Sequence, residues 1–134
     1  MAVKARELRY AIDLGQDGEL LDENRVRLDV PEEWTPEHLL LAALVRCSVA
    51  SFRYHAGRAG LAVGEASGSA HAMVTKRESD ARYAVVEVEV ALAVAVEPEP
   101  EDLAGLLEKA ERDCFIGASL TAKPRYRWIV NGRT

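Results

Sequence analysis

The chain has 134 residues, of which 49% are apolar and 29% charged, and it carries a net charge of −5 with a pI near 5.2. That is the composition of one soluble domain, 1–134, large enough for a core without disulfide or metal staples. The acidic balance argues against nucleic acid and against an anionic membrane as the main partner, because both select a basic surface. The start, MAVKARELRY, has no apolar signal core, and the longest apolar candidate, Ala84 to Val96, contains Glu87 and Glu89. Neither secretion nor a membrane span is expected, and the location should be cytoplasmic.

In chain order, Arg9 to Leu14 (RYAIDL) alternates, and GQDG at 15–18 is a turn signal that predicts a hairpin. Val26, Leu28 and Val30 alternate with Arg25, Arg27 and Asp29, which predicts a second strand with one polar face, ended by Pro31 and the Glu32–Glu33 pair. TPEHLLLAALVRC at 35–47 then opens a helix. Thr35 is a good N-cap, Pro36 fits the first helical position, and Glu37 lies where the helix dipole favours a carboxylate. The body is apolar on nearly every side, broken by Arg46 and two Ser, and such a helix is a buried one. Gly57 and Gly60 mark its end.

Ala62 to Val74 is the next strand, with Ala62, Gly64, Ala66, Gly68, Ala70 and Ala72 forming a small face that lets a helix approach closely. After the charged turn KRESDAR, Val86, Val88, Val90, Leu92, Val94 and Val96 line one face of a long strand. EPEPED at 97–102 stops it and starts a helix on which Leu103, Leu107, Ala110 and Cys114 share the core side. Tyr126 to Val130 is a last strand. Strands cluster in antiparallel pairs and do not alternate with helices, so the predicted class is α+β, with antiparallel β-sheets around a long buried central helix.

Two cysteines without a CxxC, and three scattered His, make no zinc pattern, and neither metal nor cofactor is expected. A structural disulfide is not expected in a cytosolic protein. The pair then reads either as two small buried apolar side chains or as a redox couple. His38, His55 and His71 read as structural or solvated, Trp128 as core, and Trp34 as a staple at the helix start or a pocket wall.

Glu37 and Cys47 lie ten residues apart, ~15 Å along one straight helix, and do not meet within one subunit. If two copies of this apolar helix pack antiparallel about a two-fold axis, Glu37 of one approaches Cys47 of the other, which suggests an intertwined homodimer. Glu37 also fits a plain dipole role in the first turn.

TPEHLLLAALVRC resembles the N-P-E-x-L-x-x-A-x-x-x-C segment of the OsmC/Ohr family, the osmotically inducible and organic hydroperoxide resistance proteins. CFIGASL at 114–120 is similar to that family's second cysteine segment, and the element order resembles the family's along nearly the whole chain. Arg27, Glu37 and Cys47 stand at the ten-and-ten spacing of the OsmC branch. Arg46 stands before Cys47, where the family commonly has a small residue, and Phe115 follows Cys114, where it has Pro. Arg25 and Arg46 are rivals of Arg27.

The resemblance implies thiol-dependent reduction of organic hydroperoxides in a domain-swapped homodimer. Cys47 attacks as a thiolate, Cys114 resolves the resulting sulfenic acid, Arg27 activates Cys47, Glu37 orients Arg27, and an external dithiol restores both thiols. The alternative is a non-enzymatic OsmC-like dimer that binds a hydrophobic ligand.

Overall fold

A computed structural model describes residues 4–134, and the chain falls into two compact units, Met1–Thr35 and Pro36–Thr134. In the first, β1 (Ile12–Leu14), β2 (Leu20–Asp22) and β3 (Arg27–Leu28) form an antiparallel sheet in that order. The GQDG turn is present: Gly15 N–H donates to Glu19 O at 2.9 Å, and Gly18 takes a φ of +85° that a side chain would resist. The strand facing β1 across it is β2, so the predicted second strand is the third. Between β2 and β3, Asp22 Oδ1 accepts the N–H groups of Asn24 and Val26 at 2.9 and 2.8 Å. Arg25 sits in that turn at a φ of 66°, so it does not share a strand face with Arg27 as the alternation predicted. Tyr10, Ile12, Leu14, Val26 and Leu28 are all more than half exposed.

The second unit begins with α1 (Pro36–Arg58), a single 23-residue helix. Pro36 is its first residue, as predicted. Gly60, at φ +79°, ends the helix region, and Leu61 N–H reaches back to Ala56 O at 2.9 Å. Within one chain, full burial falls on one stripe of α1: Leu44, Ser48, Ser51, Phe52 and Ala56. Leu39, Leu40, Ala43 and Cys47 are half-buried, and Arg46, Arg53 and Tyr54 are exposed.

That stripe packs on a sheet of β4 (Ala62–Lys76), β5 (Tyr83–Glu97) and β6 (Arg125–Val130). β4 and β5 are antiparallel, as the sequence suggested, whereas β6 runs parallel to β5, so the sheet is mixed. Val88, Val90, Leu92, Val94 and Val96 are buried on the face of β5 that the alternation marked, whereas Val86, of the same predicted set, is half-buried and is skipped where the register with β4 shifts. The small face of β4 does admit the helix. A Cβ on Gly68 would lie 2.6 Å from Leu92 Cδ2, 2.8 Å from Ala91 O and 3.4 Å from Val45 Cγ1. Phe52 and Trp128 close the core with ring centroids 5.4 Å apart, and Trp128 Nε1–H donates to Glu111 at 2.9 Å.

The second helix is shorter than its pattern suggested. α2 (Leu103–Arg112) starts on Asp102, whose carboxylate accepts Gly105 N–H at 2.9 Å. It stops at Arg112, and Asp113, its C-cap, meets His55 of α1 at 2.8 Å. Cys114 is therefore not on α2. It is the N-cap of a separate short helix, α3 (Phe115–Ser119).

Candidate functional site

The two cysteines come from residues far apart in the chain and meet beneath α3. Cys47 is half-buried on α1, and its Sγ receives Ile116 N–H at 3.5 Å. Cys114 is fully buried, and its Sγ receives Gly117 N–H at 3.4 Å. Both thiols are free, and each lies near enough to the other to act on its ionisation. Consecutive amides of one short helix thus serve the two sulfurs, because Cys114 caps the helix and Cys47 faces it from α1.

Ser48, the residue after Cys47, is 1% exposed and completes the polar cluster. Its Oγ donates to Leu44 O at 2.8 Å, one turn back on α1, and lies 3.5 Å from Cys114 Sγ. The Tyr126 side chain reaches in from β6. A Cβ on Gly117 would sit 2.8 Å from the Tyr126 hydroxyl and 3.5 Å from Cys114 Sγ, so the missing side chain there leaves the space the hydroxyl fills. That hydroxyl is shielded and makes no hydrogen bond among the described residues, although Ser48 and Cys114 lie near enough to act on its ionisation.

The surroundings treat the two thiols differently. Burial pushes Cys47 up, and contact with the Cys114 thiol adds to this against the Ile116 and Phe115 amides. Burial also works to raise Cys114. There the hydrogen bonds of Ser48 and Gly117 N–H, with the nearby Cys47 thiol and Tyr126 hydroxyl favouring the thiolate as well, outweigh it, and the net shift is downward. The half-buried thiol is the weaker acid and the sealed one the stronger.

Glu37 is exposed in the first turn of α1, ~15 Å along an unbroken helix from Cys47 of the same chain. Arg27 lies in the N-terminal unit, where it pairs with Glu19 at 2.8 Å and Asp29 at 2.5 Å. The hydrogen bond to Asp29, foremost, raises its pKa, so it stays charged. Arg25 pairs with Asp13 at 3.1 Å, and Arg46 is exposed. His55 is engaged by Asp113, and His71 is exposed. Ser48 and Tyr126 were not singled out from the sequence. The only signal for Ser48 was a hydroxyl beside the cysteine in an apolar helix, and Tyr126 had none.

Among the described residues no cluster of His, Cys, Asp or Glu is arranged to hold a metal, and no helix is long and apolar enough to cross a membrane. A surface depression of about 1000 Å³ at the ends of β4 and β5, lined by Val63, Glu97, Pro98, Glu99 and Asn131 among others, includes neither cysteine.

An α+β domain that brings two free thiols together at the cap of a short helix defines the class. The chain belongs to the family of OsmC-like proteins, whose model matches residues 29–128. Its fold is shared with an OsmC-like protein of unknown function from Vibrio cholerae (15% identity, 92% of this chain and 100% of that one, TM-score 0.73). It is also shared with the organic hydroperoxide resistance protein of Elizabethkingia anophelis (19% identity, 95% and 96%, TM-score 0.62) and with OhrB of Bacillus subtilis (16% identity, 92% and 96%, TM-score 0.54). No curated protein matches by sequence.

Proposed function

We propose that the protein is a thiol peroxidase that reduces organic hydroperoxides, the whole chain acting as one OsmC-like domain in a homodimer. The observation that carries this is the pairing of a half-exposed thiol with a sealed one within reach of it. A peroxide reaches Cys47 and not Cys114, so Cys47 attacks and Cys114 resolves. The Cys47 thiolate takes the distal oxygen, the O–O bond breaks, and the alkoxide leaves as an alcohol once protonated. Cys114 then displaces that oxygen as water and the disulfide forms. An external dithiol reduces the disulfide and is itself oxidised. The apolar flank of Cys47, with Leu39, Leu40 and Ala43 on the same helix, favours an alkyl hydroperoxide over hydrogen peroxide.

Cys47 needs a cation, because its surroundings within the chain raise its pKa. Arg27 supplies it in this reading, with Glu37 of the opposite subunit orienting the guanidinium. The length of unbroken helix between Glu37 and its own Cys47 supports an opposite-subunit role, and the exposed apolar residues of β1 and β3 support a second copy covering them.

The test is the fate of sulfur in Cys114→Ser given one equivalent of an organic hydroperoxide. A sulfenic acid on Cys47 should accumulate and be trapped, and turnover with a small dithiol present should collapse. Oxidation of position 47 that is no faster than that of an exposed model thiol would leave the protein as a dimer with another task.

A further inference from the structure

The hydrogen-bond bookkeeping at Cys114 leaves one donor without a task. Ser48 has a single proton, and at 2.8 Å it is given to Leu44 O. The 3.5 Å contact between Ser48 Oγ and Cys114 Sγ is then one in which the thiol donates. While Cys114 is protonated the arrangement is closed: S–H to Ser48, Ser48 to Leu44, Gly117 N–H to the sulfur. When Cys114 loses its proton, the sulfur becomes an acceptor, and Ser48 can serve it only by turning its one proton away from Leu44 O. Beside it lies the Tyr126 hydroxyl, shielded, a donor by chemistry, and without a hydrogen bond among the described residues. A buried hydroxyl left unpaired costs stability, so such a group calls for an explanation in another state of the site.

We infer that Tyr126 is a positioning residue for the resolving thiol, its hydroxyl being the donor held for the Cys114 thiolate. The inference rests on the peroxidase reading for its place in the cycle, and on the local geometry for its chemistry. Burial, foremost, pushes the Tyr126 phenol up to about 12, so it stays protonated and donates without transferring its proton. In the resolving step the Cys114 thiolate attacks the sulfur of the Cys47 sulfenic acid. The S–S bond forms, the S–O bond breaks, and the hydroxide takes up the proton that Cys114 released, giving water. In the reductive step an outside thiolate attacks the reachable Cys47 sulfur, and Cys114 leaves as the thiolate, back onto the Tyr126 hydroxyl. A stabilised leaving thiolate departs faster, so one hydroxyl sets both which sulfur is attacked and which leaves.

Stabilising a thiolate also blunts it. Each unit of lowered pKa gives about tenfold more thiolate below the pKa and about threefold less intrinsic reactivity, a net gain of roughly threefold. Tyr126→Phe, which removes only the oxygen, should therefore raise the Cys114 pKa. It should slow disulfide formation at neutral pH severalfold and move the pH profile of that step upward, while the melting temperature holds or rises because an unpaired hydroxyl has gone. The decisive measurement is thiolate absorbance against pH in Cys47→Ser, with and without Tyr126→Phe, where only Cys114 titrates as a thiol. That titration needs no peroxide, so its outcome is separate from the sulfenic acid trapping that tests the function. Replacing Tyr126 with a difluorotyrosine, a stronger donor that keeps the shape, should move the Cys114 titration the other way. A Cys114 pKa unmoved by both replacements, or a Tyr126→Phe variant that melts lower, overturns the inference.

Discussion

Removing the Arg27 guanidinium should turn Cys47 into a poor nucleophile. An unperturbed thiol, with a pKa of about 8.5, is only about 3% thiolate at neutral pH. Burial moves Cys47 further toward the thiol, and the Ile116 and Phe115 amides do not reverse it. A cation within a few ångströms lowers the pKa of a neighbouring acid by about 1–3 units. On the reading above, the cation in the wild type therefore brings Cys47 back toward or below the ordinary thiol range, and its peroxide rate levels off at a lower pH than it would without the cation. In Arg27→Ala it should titrate above that range, and the rate should climb with pH across it. At neutral pH the loss is about three- to thirtyfold, since each unit removes about tenfold of the thiolate while the rest reacts about threefold faster.

The assay is the titration of thiolate absorbance on a Cys114→Ser background, where one thiol remains, together with hydroperoxide consumption across the same pH range. Arg27→Lys should recover part of the pKa and little of the rate, because Lys keeps a charge but not a planar fork for the peroxide oxygens. The fold should survive, since the Arg27 pairs with Glu19 and Asp29 are made at the surface. Arg25→Ala and Arg46→Ala serve as controls. An unchanged Cys47 titration in Arg27→Ala refutes the assignment, and a loss confined to Arg46→Ala moves the role to the residue beside the cysteine.

The folded protein should sediment as a dimer, because the apolar residues of β1 and β3 and the half-buried flank of α1 are left open in a single chain; a folded monomer at micromolar concentration would contradict this. Gly68→Ala should destabilise by about 1–3 kcal/mol, a fall of roughly 4–10 °C in melting temperature, measured at fixed protein concentration. Leu92 can swing away from the new Cβ, but Ala91 O, 2.8 Å from it, is backbone and cannot. A melting temperature that rises, as the general preference for Ala over Gly within a strand would give, would show that the close approach is not tight.

What the sequence made legible is what short-range pattern controls. The start of α1 at Pro36, the alternation on β5 and the small residues of β4 each follow from local sterics, and each is found where the pattern placed it. The end of α2 was hidden. Leu103, Leu107, Ala110 and Cys114 keep helical spacing, yet Asp113 caps the helix and Cys114 starts another, with its sulfur taking the Gly117 amide. Apolar periodicity does not register a cap whose side chain is itself a cysteine. The parallel pairing of β6 was equally hidden, because a strand's sequence does not state its direction. Ser48 and Tyr126 escaped for a third reason. Their interest lies in contacts between α1, α3 and β6, and no window along the chain holds all three.

Accessibility and acidity assign opposite roles to the two sulfurs, and that opposition is informative. Acidity alone would make Cys114 the attacking thiol, since its surroundings favour the thiolate and those of Cys47 do not. A peroxide does not reach a residue with no exposed surface, and of the two cysteines Cys47 is the one that is not fully buried. A resolving thiol, by contrast, gains from being sealed: it meets only Cys47, it escapes overoxidation, and its donors can be built into the fold. An attacking thiol has to be open, so its activator is best supplied from outside its own apolar helix. On this argument the chain carries a finished resolving half and an attacking half that waits for a cation. On the proposed reading, full activity should then depend on Arg27 and on the opposite subunit's Glu37. A dimer-breaking substitution among Ile12, Leu14 and Leu28 should abolish peroxide reduction while Cys114 in the Cys47→Ser background still titrates at its lowered pKa. If such a variant, shown to be monomeric, kept its peroxidase rate, the cation would have to come from within the single chain.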